Sequence, residues 1–200
     1  MRRTPPALFA AALAFAAPLM LGGCGINSVP AAEENAKARW ADVQAAYQRR
    51  ASLIPNLEAT VRASAASERQ ILTEVTRARA AATGIQVNAD QLTDPQQMQR
   101  FAAAQGQLNG ALGRLLANRE AYPQLRSQEG FQTFMSQLEG TENRINVRIN
   151  DYNEAVQAYN TRIRTFPDAI GARVIHGAKP LVPYQATTPG AENAPQVFRD

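Results

Sequence analysis

The sequence predicts an all-α protein, in which three to four long helices form an antiparallel up-and-down bundle and an extended, Pro-rich C-terminal tail follows. Residues 31–167 are rich in Ala, Gln, Arg, Leu and Glu, which favour helices. Apolar residues recur there at spacings of three and four, so each segment has one apolar face. Proline and glycine cluster at a few points between these segments, and short connections favour antiparallel neighbours.

The N-terminal residues have the features of a bacterial secretory signal. Arg2 and Arg3 precede the apolar run Ala7–Met20, which at about 14 residues is shorter than the roughly 20 needed to span a bilayer. The next four residues resemble a lipobox, the processing site of bacterial lipoproteins: Leu21, Gly22, Gly23 and Cys24. Two alternatives stay open, namely an ordinary buried cysteine and an uncleaved N-terminal anchor.

Cys24 is therefore the predicted lipidation site, and we expect no cofactor besides this covalent lipid. Several acyl chains anchor a protein stably to a membrane where one would not. The bundle would face the periplasm, and because Gly25 is not an aspartate, similarity to enterobacterial sorting rules favours the outer membrane over the inner. The predicted division is a signal peptide at 1–23, a lipidated tether at 24–35, the bundle at 36–170 and the tail at 171–200.

Proline and glycine divide the body into four predicted helices. The breakers are Pro55, the segment 83–95 and the segment 122–130. Asp94 followed by Pro95 is a favourable N-cap with proline at the first helical position. Pro55 either ends one helix or only bends a longer one, and both readings stay open. The predicted helices cover residues 31–53, 56–83, 95–120 and 129–165.

The chain after Pro167 has a different character. Proline recurs at positions 180, 183, 189 and 195, so this segment cannot continue the helix. Its apolar side chains are Val182, Tyr184, Val197 and Phe198. The sequence is compatible both with an extended tail lying along the bundle and with a disordered one.

Rare residues and charge exclude several classes of function. A single Cys and a single His exclude an intrachain disulfide, a Cys/His zinc cluster and an HExxH site.

The formal charge of +4 falls to +2 if Arg2 and Arg3 leave with the signal. Arginines within residues 49–79 alternate with glutamates and lack neighbouring aromatics, which is typical of a solvated helix face, so we expect no nucleic-acid partner.

Several groups of residues together resemble the LemA family over residues 36–198. They are Arg49-Arg50, Leu53-Ile54-Pro55-Asn56-Leu57, Glu68, Ala78-Arg79, Glu120-Ala121-Tyr122-Pro123-Gln124-Leu125, Glu142-Asn143, Arg148, Tyr152-Asn153, Tyr159-Asn160, Phe166-Pro167 and Ala194-Pro195-Gln196-Val197-Phe198. The resemblance implies a membrane-attached antiparallel helical bundle that faces away from the cytoplasm and has no assigned biochemical activity. Most members of the family have an N-terminal transmembrane helix, and this chain has the lipobox instead.

Three carboxylates interrupt or end the apolar faces. Glu68 and Glu142 fall on the apolar faces, or seams, along which the predicted helices would pack. Glu120 lies near the end of the third predicted helix. Buried carboxylates are costly unless paired, so we predict interhelical ion pairs. The candidate partners are Arg50, Arg79 and Arg148. A di-iron site would need Glu-x-x-His pairs, but the one histidine, His176, follows the last predicted helix, and we expect no metal site.

A Tyr-Asn pair occurs twice, one heptad apart, as Tyr152-Asn153 and Tyr159-Asn160. The structural interpretation is that the tyrosines fill the seam while the asparagines hydrogen-bond to a neighbouring helix or connection. A ligand-binding polar stripe is the alternative.

These observations favour a non-enzymatic envelope lipoprotein without catalytic residues. We expect it to act as a scaffold or interaction partner for other envelope proteins, whose identity the sequence does not reveal. The alternative function is a sensor that binds a small ligand or a lipid within the helical bundle.

Overall fold

The computed structural model describes the backbone of residues 6–61, 66–117 and 129–186 and the side chains of residues 27–59, 70–117 and 129–186. Over these ranges the chain forms helices and no strand, which confirms the all-α fold. The helices are α1 (Pro6–Val61), α2 (Ala66–Gly84), α3 (Pro95–Ala117), α4 (Glu129–Arg162) and α5 (Asp168–Val174), with a 3-10 turn at Ala89–Gln91. None of the helices in the described ranges has the length and hydropathy of a membrane-spanning segment.

The helices α1 and α4 pack antiparallel along much of their length. The carbonyl of Ser28 accepts a hydrogen bond from Arg162 Nη1 at 3.2 Å, and further along α1 the Arg50 guanidinium meets the Glu142 carboxylate at 3.0 Å. Residue numbers therefore rise along α1 while they fall along α4.

The helices α2 and α3 also pack antiparallel to each other. Gln105 Nε2 donates to the carbonyl of Ala82 at 3.2 Å, and Arg114 contacts Glu74 nearer the start of α2. The long helices thus form the up-and-down arrangement that the short connections favoured.

Pro55 does not end the first helix. The helix α1 continues through Pro55 to Val61, and α2 begins at Ala66 rather than at residue 56. Of the two readings left open for Pro55, the longer continuous helix is therefore the one that forms, and α2 begins about ten residues later than predicted.

A hydrogen bond from α2 explains how α1 accommodates Pro55. Proline has no N–H to donate to the carbonyl four residues earlier, which is that of Ala51. Arg79 Nε donates to this carbonyl at 3.0 Å. Ile54 and Leu57, on either side of the proline, have no exposed surface, so packing of the apolar face also holds the helix together.

The starts of α3 and α4 follow the sequence closely, whereas α1 begins at Pro6 and not at residue 31 as predicted. The helix α3 begins at Pro95, and Asp94 Oδ1 accepts the backbone N–H of Gln96 at 2.8 Å, as expected of an N-cap. The helix α4 begins at Glu129, as the pattern predicted.

The predicted start of the tail at residue 171 falls inside a short helix. The helix α5 covers Asp168–Val174, and its Gly171 and Ala172 are buried. Two small residues let α5 approach the bundle closely, a feature that proline positions alone do not reveal. Extended chain follows and is described to residue 186.

The segment predicted as a tether belongs to the bundle from residue 28 onward. Ser28 Oγ donates to Asp168 Oδ2 at 2.8 Å, and Val29 and Ala36 are completely buried. Residues that pack in the bundle therefore lie only a few positions after Cys24 in the sequence.

The core has two parts, which differ in composition. The aromatic half is built around Trp40, Tyr47, Phe101, Tyr152, Tyr159 and Tyr184. The aliphatic half is built around Ile54, Leu57, Leu108, Leu112, Leu115, Phe131, Phe134 and Leu138.

Candidate functional site

The described side chains include most of the residues singled out in the sequence. The others lie outside the described side chains, and these are Leu21, Gly22, Gly23, Cys24, Glu68 and Glu120. Of the apolar tail residues, Val197 and Phe198 also lie outside the described part of the chain.

Arg50 and Glu142 form an ion pair between α1 and α4. Arg50 Nη1 lies 3.0 Å from Glu142 Oε1, and the arginine side chain is 2% exposed while the glutamate is 34% exposed. Arg50 Nη2 donates to Gln105 Oε1 at 2.8 Å and to the Gln105 carbonyl at 3.3 Å. Gln105 in turn donates to Ala82, so this network joins all four long helices.

Arg50 also lies over an aromatic ring. Its guanidinium carbon is 4.9 Å from the centroid of the Tyr47 ring, a cation–π geometry. The hydroxyls of Tyr47 and Tyr184 are 2.8 Å apart, which links α1 to the tail. Within the described part of the chain, Arg50 Nε is a buried donor with no hydrogen-bond acceptor.

The other two arginines each have a partner among the described residues. Arg79 donates to the carbonyl of Ala51, as described above. Arg148 pairs at 2.9 Å with Asp151 on the same helix, one turn away, because both side chains are partly exposed and lie on one face of α4. Glu68 and Glu120, two of the candidate partners, lie outside the described side chains, so ion pairs of Arg79 or Arg148 with them stay predictions.

The two asparagines of the Tyr-Asn repeat bind the backbone of the tail. Asn153 Nδ2 donates to the Tyr184 carbonyl at 2.9 Å, and the Tyr184 N–H donates to Asn153 Oδ1 at 2.8 Å. Asn160 makes the same pair of bonds with Leu181, at 2.8 and 2.9 Å. Each carboxamide thus pairs with one residue of extended backbone as a neighbouring strand would.

The two tyrosines of the repeat also bind the backbone of the tail. Tyr152 donates its hydroxyl to the carbonyl of Val182 at 2.8 Å, and Tyr159 donates to that of Lys179 at 3.1 Å. A spacing of seven on a helix is about 10.5 Å, and three residues of extended chain span about 10 Å. The heptad on α4 therefore matches a three-residue repeat in the tail, and we call these four side chains with residues 179–184 the tail ladder.

The prolines of the tail fit this arrangement. Pro180 and Pro183 lack an N–H and are spaced by the same three residues. The Val182 N–H donates to the carbonyl of Leu92, in the loop before α3, at 2.9 Å. Both α4 and this loop therefore hold the tail. The Tyr-Asn repeat of seven residues and the three-residue spacing of Pro180 and Pro183 are the sequence signal that could have located this contact.

Burial keeps these tyrosines neutral. Loss of hydration raises the pKa of Tyr47, Tyr152, Tyr159 and Tyr184 above the ordinary value. The stability that follows from this burial is fully present below about pH 10, the pKa of tyrosine in an unfolded chain, and is lost as the pH rises through the raised values.

Two clefts flank the Tyr47–Arg50 pair. The first, of about 170 Å³, is lined among others by Arg50, Gln105, Asn109, Glu142 and Asn146. The second, of about 270 Å³, is lined among others by Gln44, Gln48, Thr83 and Gln86. Both are smaller than the roughly 300–1,000 Å³ typical of small-molecule sites. Among the described side chains, no three His, Cys, Asp or Glu residues converge on a common point.

Comparison with known proteins gives both partial relatives and a family. The chain is 41% identical over 64 residues to the magnetosome proteins MamQ 1 and MamQ 2 of Paramagnetospirillum magneticum (strain ATCC 700264 / AMB-1). These matches cover 32% of the chain and 24% of each relative, so they span about a quarter of the length of those proteins. The model of the LemA family matches residues 39–198, which contain the Arg50 network and the tail ladder. The chain therefore belongs to the LemA family.

Proposed function

We propose that this LemA-family chain is a lipid-anchored protein of the cell envelope, attached through Cys24, and that its bundle is a non-enzymatic scaffold for other envelope proteins. In this proposal the bundle faces the periplasm, at the outer membrane rather than the inner. Its partners are the membrane and envelope proteins, with no nucleic acid among them.

One observation carries the anchor. The residues Leu21, Gly22, Gly23 and Cys24 end an apolar run, and Cys24 stands four residues before Ser28, which already contacts α5. Four helical residues span about 6 Å, so acyl chains on Cys24 would hold the bundle next to the bilayer.

The hydrogen bonds of the Tyr-Asn repeat favour a scaffold over a ligand sensor. Asn153 and Asn160, which could have bound a ligand, pair with the chain's own backbone at Tyr184 and Leu181. The aromatic half is also closely packed, with Trp40 only 2% exposed. Helices braced in this way present rigid outer faces, which suits a protein that binds other proteins.

The anchor is tested by Cys24→Ala in the full chain, expressed in a bacterium supplied with labelled palmitate. We expect the variant to lose the label completely and to leave the membrane fraction or remain unprocessed. Ser28→Ala, four residues further on, preserves the lipobox and is the matched control. Equal labelling of Cys24→Ala and the parent chain would refute the anchor.

The scaffold role is tested by chemical cross-linking in native membranes followed by purification of the chain. We expect a reproducible small set of envelope proteins with the parent chain and a loss of that set with Cys24→Ala. Recovery of no enriched protein over repeated experiments would contradict the scaffold.

Two observations favour the sensor function: a cleft of about 440 Å³ lined in part by Asn153 and Asn160, and the cleft beside Arg50 with its buried Nε donor. A ligand that binds only the native state raises the melting temperature. Succinate and inorganic phosphate, tested at millimolar concentration, should then stabilise the parent chain but not Arg50→Met. No shift with either anion would argue against an anion sensor at this cleft.

A further inference from the structure

Exposed apolar side chains concentrate at one end of the molecule. Among the described side chains, five large hydrophobic residues are exposed. Four of them lie within ten residues of one another, and these are Phe166 at 82%, Ile170 at 58%, Val174 at 79% and Ile175 at 56%. Scattered exposed apolar residues are ordinary, but a contiguous group marks an interaction site. We call these four residues the apolar patch.

The helix α5 contributes two of the four patch residues, both on one face. Ile170 and Val174 are four residues apart and lie on the same face of the helix. Gly171 and Ala172, on the other side, are buried against the bundle. Because small residues make the packed face and large ones the free face, the usual amphipathic arrangement of a core helix is inverted.

The apolar patch lies where the predicted anchor enters the bundle. Asp168, at the start of α5, accepts a hydrogen bond from Ser28 Oγ at 2.8 Å. Arg162 reinforces this contact through the Ser28 carbonyl at 3.2 Å and Asp168 Oδ2 at 3.6 Å. Cys24 precedes Ser28 by four residues, roughly one helical turn of about 6 Å.

Within residues 164–179, the exposed arginine and lysine side chains outnumber the acidic ones. Arg164, Arg173 and Lys179 are exposed, whereas the one acidic residue of this stretch, Asp168, is 18% exposed and engaged by Ser28 and Arg162. Apolar side chains rimmed by lysine and arginine are the composition of surfaces that lie in the interface of anionic membranes.

We propose that the apolar patch is a membrane-contacting surface, which inserts into the headgroup region of the bilayer that holds the lipid on Cys24. The proposal rests on the anchor of the proposed function. Stable membrane attachment commonly combines two signals, and the patch supplies the second. The contact also limits the tilt of the bundle relative to the bilayer, because the protein is then attached at two places, the lipid on Cys24 and the apolar patch.

A fluorescence experiment tests this contact. The parent chain has one tryptophan, Trp40, which is buried, so Val174→Trp introduces a second and exposed indole. The full lipidated chain is reconstituted in vesicles of phosphatidylethanolamine and phosphatidylglycerol that contain lipids brominated near the headgroup. We expect strong quenching of the added fluorescence in Val174→Trp and little change in the parent chain.

Val147→Trp is the matched control, because Val147 is the fifth exposed apolar residue, at 48%, and lies on α4 outside the patch. Equal quenching of the two variants, or none in either, would overturn the proposal. Quenching absent in Val174→Trp but replaced by concentration-dependent self-association would overturn it in favour of a second copy of the chain as the occupant.

A second experiment separates the apolar patch from the anchor. Flotation with the same anionic vesicles is measured for full-length Cys24→Ala and for this variant combined with Phe166→Ser, Ile170→Ser and Val174→Ser. We expect the added serines to reduce vesicle binding roughly tenfold. Unchanged binding would refute the patch even if Cys24 is labelled by palmitate. Patch-dependent binding without palmitate label on the parent chain would refute the anchor and leave the patch.

Discussion

The aromatic and aliphatic halves of the core are held together by different interactions. In the aromatic half, Trp40 Nε1 donates to the carbonyl of Val87 at 2.8 Å, and the hydroxyl of Tyr152 donates to that of Val182 at 2.8 Å. In the aliphatic half, side chains such as Leu108 and Leu112 are completely or almost completely buried and contribute packing alone.

The comparison shows what each kind of residue is needed for. Helices satisfy their own backbone, so leucine suffices where helix packs on helix. The loop at 85–94 and the tail at 179–184 carry backbone groups that no helix satisfies. The aromatic half supplies side chains that are apolar along the ring and polar at the tip, and these can bury such segments without leaving their backbone unpaired.

The largest expected effect comes from Trp40→Ala, which should lower the free energy of unfolding by about 4 kcal/mol. It removes ring contacts with Phe101 and Tyr152 and the bond to Val87. Leu112→Ala is the counterpart in the aliphatic half, at about 3 kcal/mol. Urea denaturation measures both, and hydrogen exchange should show early opening of residues 85–92 and 179–184 only in Trp40→Ala. The same exchange pattern in both variants would erase the distinction between the halves.

Glu142→Ala tests the network at the junction of the two halves. Loss of a partner from a buried ion pair costs about 3–5 kcal/mol, and because Glu142 is one-third exposed we expect about 2 kcal/mol. Glu142→Gln keeps an acceptor for Arg50 and should cost less. The double variant Arg50→Met with Glu142→Gln should be more stable than Glu142→Ala, since it leaves no buried charge unpaired. A less stable double variant would contradict this account.

Asn153→Asp tests the tail ladder with little change of shape. The carboxylate keeps the acceptor for the Tyr184 N–H but loses the donor to the Tyr184 carbonyl, which it now repels. We expect a loss of about 1 kcal/mol in stability and faster amide exchange at Leu181 and Tyr184. Asn150→Asp, an exposed position on α4, is the control and should change neither. Unaltered exchange in the tail would show that the ladder does not hold it.

The smallest effect concerns the compensation between Pro55 and Arg79. Arg79→Met should cost about 1 kcal/mol in the parent chain, because the carbonyl of Ala51 loses its donor. In Pro55→Ala the helix supplies its own N–H to that carbonyl, so Arg79→Met should cost distinctly less. A double-mutant cycle measures the coupling, and strictly additive effects would break the proposed link.

Local patterns predicted the elements and the identity of the polar residues well. Asp94 caps α3, the apolar residues of α4 at spacings of three and four are buried in the core, and Arg50 pairs with Glu142. Each of these depends on side chains within one helix, or on a charge that must find its opposite. The continuation of α1 through Pro55 could not be read in this way, because the donor that makes it tolerable comes from Arg79 on another helix.

The sequence by itself determined the all-α bundle and a Tyr-Asn repeat of fixed spacing, because periodicity and propensity are properties of the chain. Only the tertiary structure decided what the repeat binds. The match between seven helical residues and three extended ones becomes visible when residues 179–184 lie along α4. The apolar patch arises likewise, since Gly171 and Ala172, rather than the larger residues beside them, face the bundle and leave Phe166 and Val174 exposed.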